Sequence, residues 1–444
     1  MPLSRADLLQ DLRTHAFGLG RAPGPLRIGA EVELIPVFAG TGAQVPIVSD
    51  DGPATLPLLR WFGARHGWQE QASPYGVPQF TLPDGGIISY EPGGQIELSA
   101  AAFLSASALI RSLRATVLPL MDAAREEGIE LLAVGVAPRG GIEEVPMQLP
   151  GARYVRQTRF YEAIGTGGTR MMRQTAAMQI SIDFGAEPLP AWRVLNAMAP
   201  YVTAIFANSP VYRGEPTGHR SYRARIWREL DGGRTGAFAC AGDPVAEYLD
   251  FALAAPAILI GDLPAPRPAT HAGPLAVAVP RIVGDADAFR PFAEWNERGC
   301  ASPDAWRTHL TTLFPEVRPK GFAEVRSADA VAPQWYAAPL VLLAGIVHHP
   351  PALLAAAELL GAPDPRLLHA AGRDGLSDPR IAAVASDLAE LALGGAAALP
   401  GFSADDLDEA AAFFARYTRR SRSPADDVLD ALAAALAPSE AAAD

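Results

Sequence analysis

Hydrophobic and polar residues alternate with a period of two in four segments of the first 330 residues. In the first of these the apolar residues fall on one side and place Glu31 and Glu33 on the other, because successive side chains of a strand point to opposite faces. Each segment therefore predicts a strand with one apolar face and one face of carboxylates or amides. The segments are Leu26–Val37, Ile87–Ala100 (interrupted by a Pro-Gly-Gly turn), Met178–Gly185 and Gly321–Ser327.

Beyond about residue 340 the pattern changes to a helical period rich in alanine and leucine. We expect residues 1–340 to form one domain and residues 341–444 to form a helical region packed on the same core. Because no regular strand–helix–strand rhythm separates the predicted strands, the sequence favours an α+β fold with a largely antiparallel sheet. Helices would cover its apolar face, and its acidic face would line a cavity. The predicted C-terminal helices are Pro351–Leu360, Asp378–Leu393, Ser403–Tyr417 and Pro424–Leu436.

The composition excludes several classes of protein. Of the 444 residues, 49% are hydrophobic and 19% are charged, which argues against a disordered chain or a coiled coil. The net charge of −12 argues against nonspecific binding to nucleic acid or to an anionic membrane. No apolar run reaches the ~20 residues of a membrane span, and the N-terminal segment lacks the apolar core of a signal peptide. We therefore expect a cytoplasmic protein without membrane or nucleic-acid partners.

Lysine and cysteine are scarce, and this limits the chemistry. Lys320 is the only lysine, so a phosphate-binding G-x-x-x-x-G-K-[ST] loop is absent. The two cysteines, Cys240 and Cys300, cannot form a disulfide framework or a four-cysteine zinc site. The G-x-S-x-G, H-E-x-x-H and strand-linked G-x-G-x-x-G motifs are also missing. If the protein handles phosphate, it does so with metal ions and arginines.

Carboxylates are concentrated on the predicted polar strand faces. Glu31 and Glu33 share one strand, and Glu91, Glu97 and Glu324 lie on others; we expect few compensating cations near them. Crowded carboxylates repel one another unless a cation lies between them, and Mg²⁺ binds such oxygens together with water and phosphate. These residues predict a metal-lined cavity; the alternative is that they face solvent on ordinary amphipathic strands.

Arginines supply a second group of candidates. The segment His219–Arg228 contains Arg223 and Arg225, which would share one face of a strand. Arginine forks suit carboxylates and phosphates, and the alternative is a solvated basic stretch. His309 lies among apolar residues of a predicted helix, so we expect a packed core histidine there in preference to a catalytic one.

Five segments carry distinctive motifs, the clearest of which is Glu91-Pro-Gly-Gly-Gln95. They are Ile88–Ser99, Met172–Asp183, Phe206–Pro210, Ser221–Trp227 and His309–Arg318. In this order they resemble the plant-type glutamate–cysteine ligase family, which includes the actinobacterial ligases that make γ-glutamylcysteine for ergothioneine. The segment Ser421–Asp427 is similar to the end of the ergothioneine-pathway members.

The resemblance implies a glutamine-synthetase-like fold, in which an antiparallel β-sheet forms a funnel for ATP, a divalent metal and glutamate. Residues 1–340 would then be the catalytic domain. Arg326 and Arg225 would be catalytic clamps on phosphate or carboxylate groups. The substrate- and ATP-binding residues that it implies are Arg173, Arg223, Tyr222, Trp227 and Gln95. The implied metal ligands are Glu31, Glu33, Glu97 and Glu324, together with Glu91 and Gln179.

The resemblance also implies a reaction. ATP would activate glutamate as γ-glutamyl phosphate, and the amine of cysteine would displace phosphate to give γ-glutamylcysteine. Mg²⁺ or Mn²⁺ would be the metal, and the enzyme would be a monomer or homodimer acting in glutathione or ergothioneine biosynthesis. Three alternatives stay open: a ligase of the same fold with another amine acceptor, a non-catalytic nucleotide- or metal-binding protein, and a metal-dependent hydrolase that needs no ATP.

Overall fold

An antiparallel sheet runs through the centre of the molecule. The computed structural model describes residues 2–22, 24–165, 167–259 and 289–436, and within them nine strands pair in the order β12-β13-β7-β1-β5-β4-β3-β2, with β6 on the end of β1. Two further pairs, β8–β9 and β10–β11, lie outside this sheet. The strands are β1 Ile28–Phe38, β2 Gln69–Gln71, β3 Gln79–Thr81, β4 Ile87–Tyr90, β5 Ile96–Ser99, β6 Ile129–Leu132, β7 Met178–Ile182, β8 Val211–Tyr212, β9 Glu215–Pro216, β10 Thr235–Gly236, β11 Phe314–Pro315, β12 Val317–Pro319 and β13 Ala323–Val325.

Helices surround the sheet and dominate the C-terminal part. Within the described residues, no single helix has the length and apolarity of a membrane span. One pair, Pro333–Val347 and Pro350–Leu360, meets that test only when taken together, with a 93° bend between its halves. The helices are α1 Arg5–Asp11, α2 Thr55–His66, α3 Ala106–Glu126, α4 Ala152–Ile164, α5 Gly167–Gln174, α6 Pro188–Ile205, α7 Tyr222–Arg228, α8 Pro244–Ala254, α9 Phe292–Glu297, α10 Pro303–Leu310, α11 Ala337–Val347, α12 Pro350–Leu360, α13 Leu367–Asp374, α14 Pro379–Ala397, α15 Ala404–Arg416 and α16 Pro424–Leu436.

The four strands predicted from alternation all lie in this sheet. The register pairs Glu31 of β1 with Gln179 of β7 and Glu33 with Glu97 of β5. Ser89 of β4 pairs with Glu97 in turn, so polar residues of neighbouring strands line up on one face. The predicted α+β class with a largely antiparallel sheet is therefore confirmed.

The other face of the sheet is the hydrophobic core. The alternate residues of β1, from Ile28 to Leu34, are at most 4% exposed, and α3, α6 and α11 pack against the sheet. Every residue of α11 is buried. One apolar cluster runs from Leu8 to Tyr417, so the C-terminal helices share the core of the sheet. The domain boundary at residue 340 stays a prediction, and residues 437–444 lie outside the described part.

Helix caps agree with the sequence in the C-terminal region. The predicted helix at Ser403–Tyr417 is observed as α15, and the Ser403 hydroxyl accepts a hydrogen bond from the Asp406 N–H. The predicted strand at His219–Arg228 is wrong: most of the segment forms α7, and the Ser221 hydroxyl accepts a hydrogen bond from the Ala224 N–H at the start of this helix. A side-chain hydroxyl at this position satisfies an N–H that would otherwise lack a partner.

Candidate active site

A cavity of about 740 Å³ lies over the polar face of the sheet. Among the charged residues that line it are two groups of like charge. A volume of this size is typical of small-molecule sites. We call the first group the acidic wall: it consists of Glu31, Glu33, Glu91 and Glu97. We call the second group the cationic wall: it consists of Arg223, Arg318, Lys320 and Arg326.

Strand period and register bring the acidic wall together. Glu31 and Glu33 are two residues apart on β1, so their side chains leave the same face of the sheet. Glu97 lies opposite Glu33 on β5. Its Oε1 atom accepts hydrogen bonds from the Ser99 hydroxyl at 2.9 Å and from the Ser89 hydroxyl at 3.3 Å. These hydroxyls hold the Glu97 carboxylate in place without neutralising it.

The turn at Glu91–Gln95 joins β4 to β5 and brings its first residue into the cavity lining. Gly93 has no room for a side chain, because an added Cβ would lie 2.0 Å from the carbonyl oxygen of Arg173. Gln95 closes the turn: its Oε1 accepts from the Gly93 N–H at 3.0 Å, and its Nε2 donates to the Thr175 carbonyl at 2.8 Å. Gln95 also lines the cavity. Its hydrogen bonds hold this predicted binding residue rigidly.

Burial and repulsion raise the pKa of the carboxyl groups of the acidic wall. The pKa of Glu31 rises to about 7, first through burial and then through the charge of Glu97. The pKa of Glu91 is raised well above its usual value, by burial and then by the charges of Glu97 and Glu33. Burial likewise raises the pKa of Glu33 and Glu97. The ionised wall is therefore electrostatically unfavourable without a cation.

The acidic wall offers the donor chemistry of a hard divalent cation. Buried carboxylates that repel one another gain most from a cation placed between them. Among the residues that the structure describes, no three His, Cys, Asp or Glu side chains are arranged to hold a metal ion by themselves. Mg²⁺ usually takes one or two carboxylates together with waters and substrate phosphates. The wall fits that kind of site better than a cage made of protein ligands alone.

Glu324 is buried among the cations. Its carboxylate lies 2.7 Å from Arg318, 2.8 Å from Lys320 and 2.9 Å from Arg326. Burial alone would raise the pKa of Glu324, but Arg318, Arg326 and Lys320 outweigh it and lower that pKa below its usual value. The expectation of few cations near Glu324 is wrong, and its role as a metal ligand stays a prediction. Three cations on one carboxylate leave the cationic wall with excess positive charge.

Gln179 connects the two walls. Its Nε2 donates to Glu33 Oε1 at 3.0 Å, and its Oε1 accepts from the Arg326 guanidinium. Both ends of the amide are therefore engaged, and its role as a metal ligand also stays a prediction. Trp227 lies beside these hydrogen bonds. Its ring centroid is 5.2 Å from the guanidinium carbon of Arg326 and 5.5 Å from that of Arg223. At these distances the indole face attracts both cations.

Arg225 does not reach the cavity. Residues two positions apart on a helix are rotated by roughly 200° about its axis, so Arg223 and Arg225 leave α7 in opposite directions. Arg223 is 4% exposed and lines the cavity. Arg225 is exposed and pairs with Glu229 at 2.7 Å, one turn along the helix. The prediction that the two arginines share a face is therefore wrong.

Tyr222 and Arg173 also lie outside the cavity lining. The Tyr222 hydroxyl accepts a hydrogen bond from Arg170 at 2.9 Å. Arg173 donates to the carbonyl of Val145 at 3.0 Å. Both residues support the wall of the site from behind in this arrangement, and their roles in substrate binding stay predictions.

Arg318 and Lys320 are site residues that were not predicted from the sequence. They reach the cavity because the β12–β13 hairpin pairs Arg318 directly with Glu324. The turn signal Pro319-Lys320-Gly321 between two short apolar runs could have predicted this hairpin and its register.

His309 has the surroundings expected of a core histidine. It is 2% exposed, lies against the Phe292 ring with centroids 4.7 Å apart, and its Nε2 is 2.7 Å from the Ala252 carbonyl oxygen. Burial lowers the pKa of His309 to about 3. The side chain is therefore neutral at physiological pH, and it lies outside the lining of the cavity.

The profile of glutamate–cysteine ligase family 2 matches residues 27–439. The chain belongs to this family. Its relatives include glutamate–cysteine ligase EgtA of Mycolicibacterium smegmatis, which is 32% identical over 385 residues that cover 83% of each chain. The chloroplastic glutamate–cysteine ligase of Arabidopsis thaliana is 30% identical over 337 residues, which cover 74% of this chain but only 60% of that protein. The predicted family is confirmed.

Solved structures agree with the glutamate–cysteine ligase family at the level of the fold. A crystal structure of glutamate–cysteine ligase from Francisella tularensis in complex with AMP matches 92% of this chain and 84% of that chain, with a TM-score of 0.50. The sequence identity is 13%, so this likeness concerns the fold alone.

Proposed function

We propose that this member of glutamate–cysteine ligase family 2 joins the γ-carboxylate of L-glutamate to the amine of L-cysteine at the expense of ATP. A carboxylate oxygen of glutamate attacks the γ-phosphorus of ATP, ADP leaves, and γ-glutamyl phosphate forms. The cysteine amine then attacks the acyl carbon, loses a proton, and phosphate leaves. The products are γ-glutamylcysteine, ADP and phosphate. The observation that carries the proposal, beside family membership, is one cavity lined by both the four glutamates of the acidic wall and the four cations of the cationic wall.

The acidic wall is the proposed metal site. Glu31, Glu33, Glu91 and Glu97 present carboxylate oxygens to one side of the cavity, and Mg²⁺ or Mn²⁺ would be held there. A divalent ion held by these carboxylates would supply positive charge against the charge that develops during phosphoryl transfer. The protein's own contribution is rigidity, because the Ser89 and Ser99 hydroxyls fix the Glu97 carboxylate.

The cationic wall is the proposed site for anionic substrate groups. Arg318, Lys320 and Arg326 share a single counter-charge in Glu324, so they can still bind phosphate oxygens. We assign Arg326 to the transferred phosphoryl group because Gln179 and Glu324 hold its guanidinium next to the acidic wall. We assign Arg223 to a carboxylate of glutamate. Preorganised cations of this kind stabilise developing charge more strongly than solvent does.

The proposal extends to the setting of the reaction. ATP and glutamate are abundant in the cytoplasm, which supports a cytoplasmic enzyme that acts on small molecules. Whether the chain acts as a monomer or a homodimer stays a prediction. A ligase of the same fold with another amine acceptor is the second candidate, because none of the described residues that line the cavity is assigned to the cysteine thiol.

Phosphate release by the purified protein tests the function. The protein is incubated with Mg-ATP and glutamate, and each of the twenty amino acids and several simple amines is added in turn. We expect release that requires both glutamate and cysteine, with the mass of γ-glutamylcysteine in the product. Release with another acceptor would favour the second candidate. Bound ATP without release for any acceptor would contradict a ligase.

The Glu97→Gln variant tests the metal site in the same assay. We expect at least about a hundredfold loss of activity, as for loss of a preorganised electrostatic group, and a higher requirement for Mg²⁺. Normal turnover and an unchanged Mg²⁺ requirement would contradict the assignment of the acidic wall.

A further inference from the structure

Asp329 is a fully buried carboxylate behind the cationic wall. It follows β13 in the chain and is 0% exposed. Its Oδ2 accepts hydrogen bonds from the Asn208 backbone N–H at 2.8 Å and from the Ser209 hydroxyl at 2.7 Å. Its Oδ1 accepts from the Ser221 hydroxyl at 2.9 Å. Burying a charge costs free energy unless the charge is paired and hydrogen-bonded. A carboxylate at this position therefore indicates a role other than apolar packing.

The position of Asp329 requires a glycine at residue 135. A Cβ on Gly135 would lie 2.4 Å from the Asp329 Cγ atom. The Gly135 N–H donates to the Asn208 carbonyl at 3.0 Å, so the loop after β6 closes over the carboxylate. Asp329, Gly135 and the Asn208–Ser209 segment come from three distant parts of the chain and meet at the start of α7.

The contacts of Asp329 converge on Arg223. Ser221, which donates to Asp329, is the N-cap of α7 and accepts from the Ala224 N–H at 3.1 Å. Ser209, which also donates to Asp329, accepts from the Arg223 N–H at 3.1 Å. The Arg223 guanidinium is 3.9 Å from Asp329 Oδ1 and donates to a backbone carbonyl at 2.9 Å, while its buried Nε has no partner. Arg223 is thus held at both its backbone and its side chain.

We propose that Asp329 is a positioning residue that orients Arg223 toward an anionic substrate group, by fixing the first turn of α7 and by pairing with the guanidinium. The inference rests on the proposed function and adds to it a residue that lies outside the cavity lining. Burial lowers the pKa of Arg223, and Asp329 is the strongest influence that opposes this. The carboxylate therefore favours the charged form of the arginine.

A structural role alone would give a different result, and Asp406 provides the matched control. This carboxylate is 6% exposed, caps α15 and accepts from two serine hydroxyls, Ser107 and Ser403. It lies outside the cavity lining. Asp406→Asn removes a buried, serine-bound charge at a helix start, as Asp329→Asn does, but without an arginine of the site beside it.

The experiment compares Asp329→Asn, Asp406→Asn, Arg223→Gln and the Asp329→Asn/Arg223→Gln double variant. Melting temperature, kcat and the KM for glutamate and ATP are measured, together with binding of each substrate by calorimetry. We expect both aspartate variants to melt at lower temperature, but only Asp329→Asn to raise the KM and Kd of one anionic substrate, by about tenfold or more. Glutamate is the expected substrate, and a selective effect on ATP would equally support the positioning role.

The double variant tests whether Asp329 acts through Arg223. Contacting residues that act as a unit have non-additive effects, so Asp329→Asn should weaken binding no further once Arg223 is replaced. Unchanged KM and Kd values in Asp329→Asn, or fully additive losses in the double variant, would overturn the proposal. A wild-type protein that binds the substrates without ligating them would refute the proposed function, whereas the binding comparison would still decide the role of Asp329.

Discussion

Neutralising one carboxylate of the acidic wall should stabilise the metal-free protein while it damages the site. In Glu31→Gln the side chain keeps its size but loses the charge that burial and Glu97 make unfavourable. The folded-state pKa of Glu31 lies above its unfolded value of 4.5. Stability from the protonated group is therefore fully present below pH 4.5 and is lost as pH rises through 7. The glutamine variant has no group that ionises at this position, so its stability should not fall in this way as the pH rises.

The size of the effect follows from the pKa of Glu31. A rise from 4.5 to about 7 corresponds to about 3 kcal/mol, because one pKa unit is worth about 1.4 kcal/mol. Partial contact of Glu31 with solvent reduces this figure. We therefore expect the free energy of unfolding of Glu31→Gln to exceed that of the wild type by about 2–3 kcal/mol at pH 8 in EDTA. Near pH 4.5 the difference should almost vanish.

Urea unfolding of both proteins in EDTA, at pH 8 and at pH 4.5, measures this difference. Saturating Mg²⁺ should stabilise the wild type by about 2–3 kcal/mol at a hundredfold excess over its Kd, and the variant by much less. Glu324→Gln is the matched contrast on the same sheet face. It leaves Arg318, Lys320 and Arg326 without their buried counter-charge and should cost about 3–5 kcal/mol.

The same change from glutamate to glutamine should therefore raise the free energy of unfolding at Glu31 and lower it at Glu324. If Glu31→Gln were no more stable than the wild type at pH 8 without metal, repulsion within the acidic wall would be too weak to demand a cation. If Mg²⁺ stabilised the variant as much as the wild type, Glu31 would not contribute to the metal site.

The remaining predictions concern Lys320, His309 and a comparison of Arg225 with Arg223. Lys320 is the only lysine, so intact-mass analysis of amine acylation should show a single side-chain adduct whose formation Mg-ATP slows severalfold; an unchanged rate would place the lysine outside the phosphate site. Arg225→Gln should keep kcat/KM within about twofold, whereas Arg223→Gln should lower it by about a hundredfold; equal losses would contradict the helical placement. The pKa of His309 is lowered to about 3, so the free energy of unfolding should fall by about 2 kcal/mol as the pH drops from 6.5 to 5. In His309→Gln this fall should be smaller by that amount, as measured by urea unfolding at each pH.

The sheet was predictable because its signal is local. A buried face forces alternation on each strand, so β1 and β7 could be recognised from their own residues. The same reasoning failed at His219–Arg228, because seven helical residues are too few to separate a period of 3.6 from a period of 2. Ser221 as a capping residue was the better local signal, since its hydroxyl fits a helix start.

The environment of Asp329 was not predictable, because it depends on long-range contacts. Asp329 receives its hydrogen bonds from Asn208, Ser209 and Ser221, which are 121, 120 and 108 residues away. Sequence spacing gives no indication of contacts at such separations, whereas strand alternation together with residue type was enough to nominate the carboxylates of the acidic wall.

The two walls of the cavity are each out of electrostatic balance, and in opposite directions. On the acidic side four glutamates repel one another, as the raised pKa of Glu31 indicates; on the cationic side three cations share Glu324. A divalent cation alone would relieve the first imbalance, and a polyanion alone the second. A metal-bound triphosphate relieves both and adds an attraction between its own two parts. Local rules of stability are typically broken where function requires it, and here both imbalances lie in one cavity and call for ligands of complementary charge.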